Sequence, residues 1–176
     1  MGQLFGRILV PHDFSQHAEK ALDLAADLAA EHKGRLLVLN AIPQIVPLSS
    51  LAPNDVPVWV PTDELIGQAR RDLEALVKRS IRGRVVPYEC QVVVGDPSDR
   101  ILRAAKGCDL VVMATAGRTG LSHLVIGSVA EKVVRHSPAP VLTVRAKLRR
   151  ARMSLAPSRG RKSARARAGK PGRARR

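Results

Sequence analysis

The sequence predicts a doubly wound α/β domain, a five-stranded parallel sheet with helices on both faces. Two features of the chain carry this expectation. Short apolar runs alternate with stretches of helical period, the order that builds a parallel sheet. The runs are apolar at consecutive rather than alternate positions, which marks strands buried on both faces. A chain of 176 residues with 45% apolar side chains can bury one ordinary core. Aromatics are scarce, two Phe, one Tyr and one Trp, so that core is built from Val, Leu, Ile and Ala. No internal repeat is visible.

The first strand is "RILVPHD" (Arg7 to Asp13), an apolar run halted by Pro11. Ser15 is placed to cap the helix that follows, in which Ala18, Ala21, Leu22, Ala25, Leu28 and Ala29 recur at helical spacing. Gly34 supplies a left-handed stop. "RLLVLNAI" (Arg35 to Ile42) is the second strand. Between Pro43 and Pro61 five prolines and no usable period mark a long excursion, of the kind that is often functional.

Thr62 caps a second helix with Leu65, Ile66, Ala69, Leu73, Leu76 and Val77 on one side. "VVPYECQVVVG" is the third strand, broken early by Pro87. Asp96 caps a third helix, with Pro97 at its first position, Asp99 in the positive first turn and Gly107 at its end. "DLVVMAT" (Asp109 to Thr115) and "PVLTVR" (Pro140 to Arg145) complete the strands. A fourth helix starts at Gly127-Ser128, where Ser128 and Glu131 have the spacing of a capping box.

Charge divides the chain. Ala146 to Arg176 holds 13 of the 30 Lys and Arg and no acid, which leaves 17 basic against 15 acidic residues before it. A body of residues 1–145 is therefore nearly neutral. The 146–176 tail has too few apolar residues to fold alone and is expected to be disordered. Its cations suit polyanions, whether DNA, RNA or an anionic membrane surface, and ~8 phosphate contacts would give a salt slope of about −7. Scarce aromatics argue against stacking platforms for single strands.

Two cysteines, Cys90 and Cys108, without metal-ligand spacing argue against a zinc site and a disulfide framework. No signal peptide, membrane span or myristoylation signal is read at the N-terminus or along the chain, and the expected location is cytoplasmic. Hydrolase chemistry is not supported: "GLSHLVIG" lacks the G-x-S-x-G elbow, and the histidines form no HxH or HExxH cluster. With no base or arginine-finger candidate, the chain is expected to be a binding protein with at most slow ATP hydrolysis.

Ligands of doubly wound sheets sit beyond the carboxyl ends of strands where the winding reverses. Two strand ends carry special residues, Pro11-His12-Asp13 and Ala114 to Gly117. After the latter, "MATAGRTGLSHLVIGSVAEK" offers bare backbone at Gly117 and Gly120, and the helix start at Gly127-Ser128 has free N–H groups that favour an anion. Turns and a capped helix explain the same residues without a ligand. The stretch matches neither GxxxxGK[ST] nor GxGxxG.

"MATAGRTGLSHLVIGSVAEKVVRHSPAPVLTVR" resembles the C-terminal signature of the universal stress protein family, and "RILVPHDFSQHAEKALDLAADLA" its N-terminal signature. The resemblance spans roughly Gly6 to Arg145 and implies a Rossmann-like fold of the adenine nucleotide alpha hydrolase type. Nucleotide-binding members use G-x-x-G, nine residues, then G-[S/T]. Here Gly117 is the second glycine, Arg118 to Ile126 are the nine, and Gly127-Ser128 is the final pair.

The resemblance implies that Gly117, Gly127, Ser128 and the Val129 N–H hold the phosphates of ATP. Arg118 and Lys132 stand ready to screen their charge. Asp13, beside Pro11 and His12, would face the ribose or share Mg²⁺, and Ala41 with Met113 would flank the adenine. Ala114 departs from the first motif glycine, and Ala116 stands where many members have His. The Ala114 methyl crowds a ligand if its φ is positive and costs little if the residue is extended. The resemblance also implies a homodimer paired through the Pro140 to Arg145 strand. The alternative is a dimeric interaction module that binds no nucleotide and acts through its basic tail.

Overall fold

The computed structural model describes residues 5–44, 61–115 and 126–145. Gly117, Arg118, Gly120, most of the proline-rich excursion and the basic tail lie outside the described residues. The elements run β1 (Arg7–Pro11), α1 (Gln16–His32), β2 (Arg35–Ile42), α2 (Asp63–Ser80), β3 (Tyr88–Val94), α3 (Pro97–Ala105), β4 (Leu110–Ala114), α4 (Ser128–His136) and β5 (Val141–Val144).

All strand pairings are parallel, in the order β3-β2-β1-β4-β5. The winding therefore starts at β1, runs outward to β3, and returns to build β4 and β5 on the other side. The switch point lies between β1 and β4. Alternation along the strands divides the core in two. Ile8, Val10, Val38 and Val112 pack under α1 and α2, whereas Leu9, Leu37, Val111 and Met113 pack under α3 and α4.

Three helices start as expected. The N–H of Ala18 donates to Ser15 Oγ (3.2 Å), that of Leu65 to Thr62 Oγ1 (3.3 Å), and that of Asp99 to Asp96 Oδ1 (2.9 Å). Of the α2 stripe, Leu73, Leu76 and Val77 are buried and Leu65 is exposed. Pro87 precedes β3 rather than interrupting it.

Two local expectations are corrected. The left-handed residue ending α1 is Lys33 (φ 55°), not Gly34. Gly34 is required for a different reason, since a Cβ there would overlap the Phe5 carbonyl oxygen. The capping box at Ser128 does not form. Gly127 is the N-cap of α4, its carbonyl accepts the Glu131 N–H (2.9 Å), and the Glu131 carboxylate turns to Arg135 (2.8 Å).

Candidate functional site

A cavity of about 540 Å³ opens at the switch point, beyond the carboxyl ends of β1, β2 and β4. That volume is in the range of small-molecule sites. Of the residues singled out in the sequence, Pro11, His12, Asp13, Ala41, Met113, Ala114, Gly127, Ser128 and Val129 all line it. The strand order brings them together from four separate segments.

One wall is the start of α4. Gly127 has no side chain with which to cap the first turn, and the helix shows no side-chain cap hydrogen bond. Its amide is tied back to the Thr115 carbonyl (2.8 Å), which fixes α4 against the end of β4. The first-turn N–H groups of an α-helix have no partners within the helix. Here they border the cavity together with Ser128, and the helix dipole adds positive potential. Gly127 itself has φ −62°, ordinary for any residue. Lys132 holds the same helix to the start of α3, reaching Asp99 (2.9 Å) and Asp96 (3.6 Å).

The facing wall is apolar. Leu39, Ala41 and Met113 share the sheet face under α3 and α4, with Ile101 of α3 beside them. Ala114 lies in β4, paired with Val144 of β5. Among the described non-glycine residues only Phe14 and Lys33 have positive φ, so Ala114 stays in extended conformation. Alternation sets its Cβ on the sheet face opposite to Met113.

The floor is the turn from β1 into α1. Phe14 takes φ 64°, held there as its N–H donates to His12 Nδ1 (3.0 Å) and the Ser15 N–H donates to Asp13 Oδ1 (3.1 Å). His12 is buried at 3% exposure, and burial lowers its pKa to about 4 against a smaller opposing pull from Asp13. Since Nδ1 accepts, the proton of the neutral ring sits on Nε2, which has no hydrogen-bond partner among the described residues. The carboxylate of Asp13 is half-buried at the cavity and serves the local turn as well.

Asn40 is a wall residue that the sequence reading passed over. Its Nδ2 donates to the His12 carbonyl (2.8 Å), pinning the end of β1 to that of β2. The signal was a lone amide in the apolar run "RLLVLNAI". Thr115, Pro43, Pro97 and Ala18 also line the cavity. Neither cysteine does: burial pushes the Cys90 thiol up to about 11 and raises that of Cys108. Among the described residues, no group of three His, Cys, Asp or Glu could hold a metal ion, and no helix is long and apolar enough to cross a membrane.

The fold is shared with known proteins. The chain is 34% identical over 151 residues to the universal stress protein YxiE of Bacillus subtilis, a match covering 81% of this chain and all of that one. It is 32% identical over 155 residues to a universal stress protein of Thermus aquaticus, again 81% of this chain and all of the relative. Among solved structures, MJ0577 of Methanocaldococcus jannaschii superposes with TM-score 0.65 at 26% identity, covering 82% of this chain and 98% of that one. A universal stress protein in complex with cAMP superposes with TM-score 0.58 at 25% identity over 80% and 97% of the two chains. The universal stress protein family model matches residues 4–145, and the chain belongs to that family.

Proposed function

We propose that this protein binds ATP in the switch-point cavity and acts through nucleotide-dependent contact with partner proteins, as a binding protein rather than an enzyme. The observation that carries this reading is the start of α4. The other three helices of the described structure are capped by a side chain, whereas α4 is not, and its first turn borders the cavity. A phosphate supplies what that turn lacks. Ser128, Val129 and the backbone at Gly127 then hold the phosphates, with Gly117 and Arg118 of the same motif completing the cradle. The adenine lies against Ala41 and Met113.

Asp13 is the carboxylate of the cavity lining, and its role is to meet a ribose hydroxyl or to share Mg²⁺ with the phosphates. The extended conformation of Ala114 removes the steric objection to the missing motif glycine. The relative solved with cAMP supports an adenine nucleotide as the ligand class. The edge position of β5, with Leu142 exposed, supports pairing of two copies through that strand.

The test is a calorimetric titration of ATP with Mg²⁺ into the chain ending at Arg145, freed of nucleotide by denaturation and refolding. Ending there removes thirteen cations that attract ATP by charge alone. The relatives matched along their whole length correspond to this body. Gly127→Val is the control, as valine adopts the backbone angles of Gly127 and adds bulk beside Thr115. Saturable binding lost in the control is the expected result. No binding in the folded parent chain overturns the reading.

A further inference from the structure

The cavity occupies one end of the sheet, and the opposite end is cationic. In a parallel sheet every strand begins, and every helix ends, on the same side. The starts of β1 and β2 bring Arg7 and Arg35 there. The turn after α2, "KRSIRGR", adds Lys78, Arg79, Arg82 and Arg84 within seven residues and without an acid. The end of α3 adds Arg103 and its C-cap, Lys106.

Cations in the last turn of a helix offset its dipole, and that is sufficient reason for Lys78, Arg79 and Arg103. It does not account for Arg35 or Arg82, which lie outside helices. Three acids at this end are engaged already, whereas Glu31 in the last turn of α1 is exposed. Asp109 accepts the Arg7 N–H (2.8 Å), Glu89 meets the Arg7 guanidinium (3.5 Å), and Asp27 pairs with Arg84 (2.6 Å). Among the described residues Arg35, Arg79, Arg82, Arg103 and Lys106 are exposed and make no ion pair. α2 and α3 pack on opposite faces of the sheet, so these charges straddle its end.

We infer that this end of the domain is a docking surface for the phosphate backbone of duplex nucleic acid. Guanidinium groups predominate, and their planar donors match phosphate oxygens. The exposed large apolar side chain at the α2–β3 turn is Val85, and the exposed aromatic of the described structure, Phe14, lies at the other end. An interfacial membrane site needs aromatic or leucine anchors, and single-strand binding needs stacking platforms. A duplex backbone needs neither. In sequence this surface is separate from the basic tail, which follows β5, a strand whose carboxyl end lies on the cavity side.

The test uses the full chain and random-sequence duplex DNA across a salt series. Arg79→Glu, Arg82→Glu and Lys106→Glu are combined in one variant. Lys20→Glu, Arg70→Glu and Arg71→Glu, in α1 and α2 away from this end, form a control of equal net charge. Loss of three phosphate contacts reduces the salt slope by about 3, and the expected result is that drop in the first variant alone. Equal drops in both variants assign the effect to net charge, and no drop in either assigns binding to the tail; both overturn the inference. Vesicles of anionic phospholipid are run beside the DNA, and a variant effect confined to vesicles also overturns it. Glutamine at the same three positions gives the same comparison if the reversed chain does not fold.

Discussion

Replacing His12 by asparagine isolates the pH dependence of one buried group. In the folded chain the imidazole is 3% exposed, its Nδ1 accepts the Phe14 N–H, and its pKa is lowered from 6.5 to about 4, chiefly by burial. The unfolded chain therefore takes up the proton first as the pH falls. Stability from this group is fully present above pH 6.5 and is lost as the pH drops toward 4. At ~1.4 kcal/mol for each tenfold change in proton affinity, the whole loss is about 3 kcal/mol, most of it incurred by about pH 4.5. Asparagine keeps an acceptor for the Phe14 amide but does not titrate. Urea unfolding of both chains between about pH 7.5 and 4.5 gives the assay, and taking the difference cancels carboxylate titrations common to both. The stability advantage of the parent should shrink by about 2–3 kcal/mol over that range. A difference that stays flat refutes the buried neutral imidazole.

Gly34→Ala should destabilise the fold by about 1–3 kcal/mol, read from the urea midpoint, as the added methyl meets the Phe5 backbone carbonyl and something must shift. An effect below about 0.5 kcal/mol, the range of ordinary surface changes, contradicts that close approach. For the proposed pairing of two copies through β5, Leu142→Lys places a charge on the exposed position of that edge strand and should lower the sedimentation coefficient relative to the parent with the melting temperature little changed. Gly127→Ala, whose Cβ meets Thr115 at ordinary contact distance (3.4 Å), should leave thermal stability close to that of the parent. A large loss of stability would mean that Gly127 serves the fold.

The central strands β1, β2 and β4 were legible because each is buried on both faces and so reads as an unbroken apolar run, as in "RILV" and "DLVVM". Ser15, Thr62 and Asp96 were legible because an N-cap is a local event, decided within three residues. Ser128 had the same local pattern and misled, because the Gly127 amide is tied to Thr115 and helix α4 begins one residue earlier. Gly34 misled for a similar reason. The residue it must avoid, Phe5, lies nearly thirty positions away and is brought close only by the pairing of β1 with β2. Phe14 in a left-handed conformation has no sequence signature, since the His12 ring that holds it acts through the fold of the turn. Nine residues named from the sequence line the cavity, whereas Asn40 carried too faint a signal and Gly117 and Arg118 lie outside the described residues. The cavity itself was not legible, since it exists only where the strand order reverses.

The most direct test of the central claim is an amide-resolved NMR titration of the isotope-labelled chain ending at Arg145 with ATP and Mg²⁺. The largest shifts should fall on Ser128, Val129 and Ala130 at the start of α4 and on Met113 across the cavity. Shifts confined to the far end of the sheet, at Arg79, Arg82 and Lys106, with the α4 amides unmoved, would contradict it.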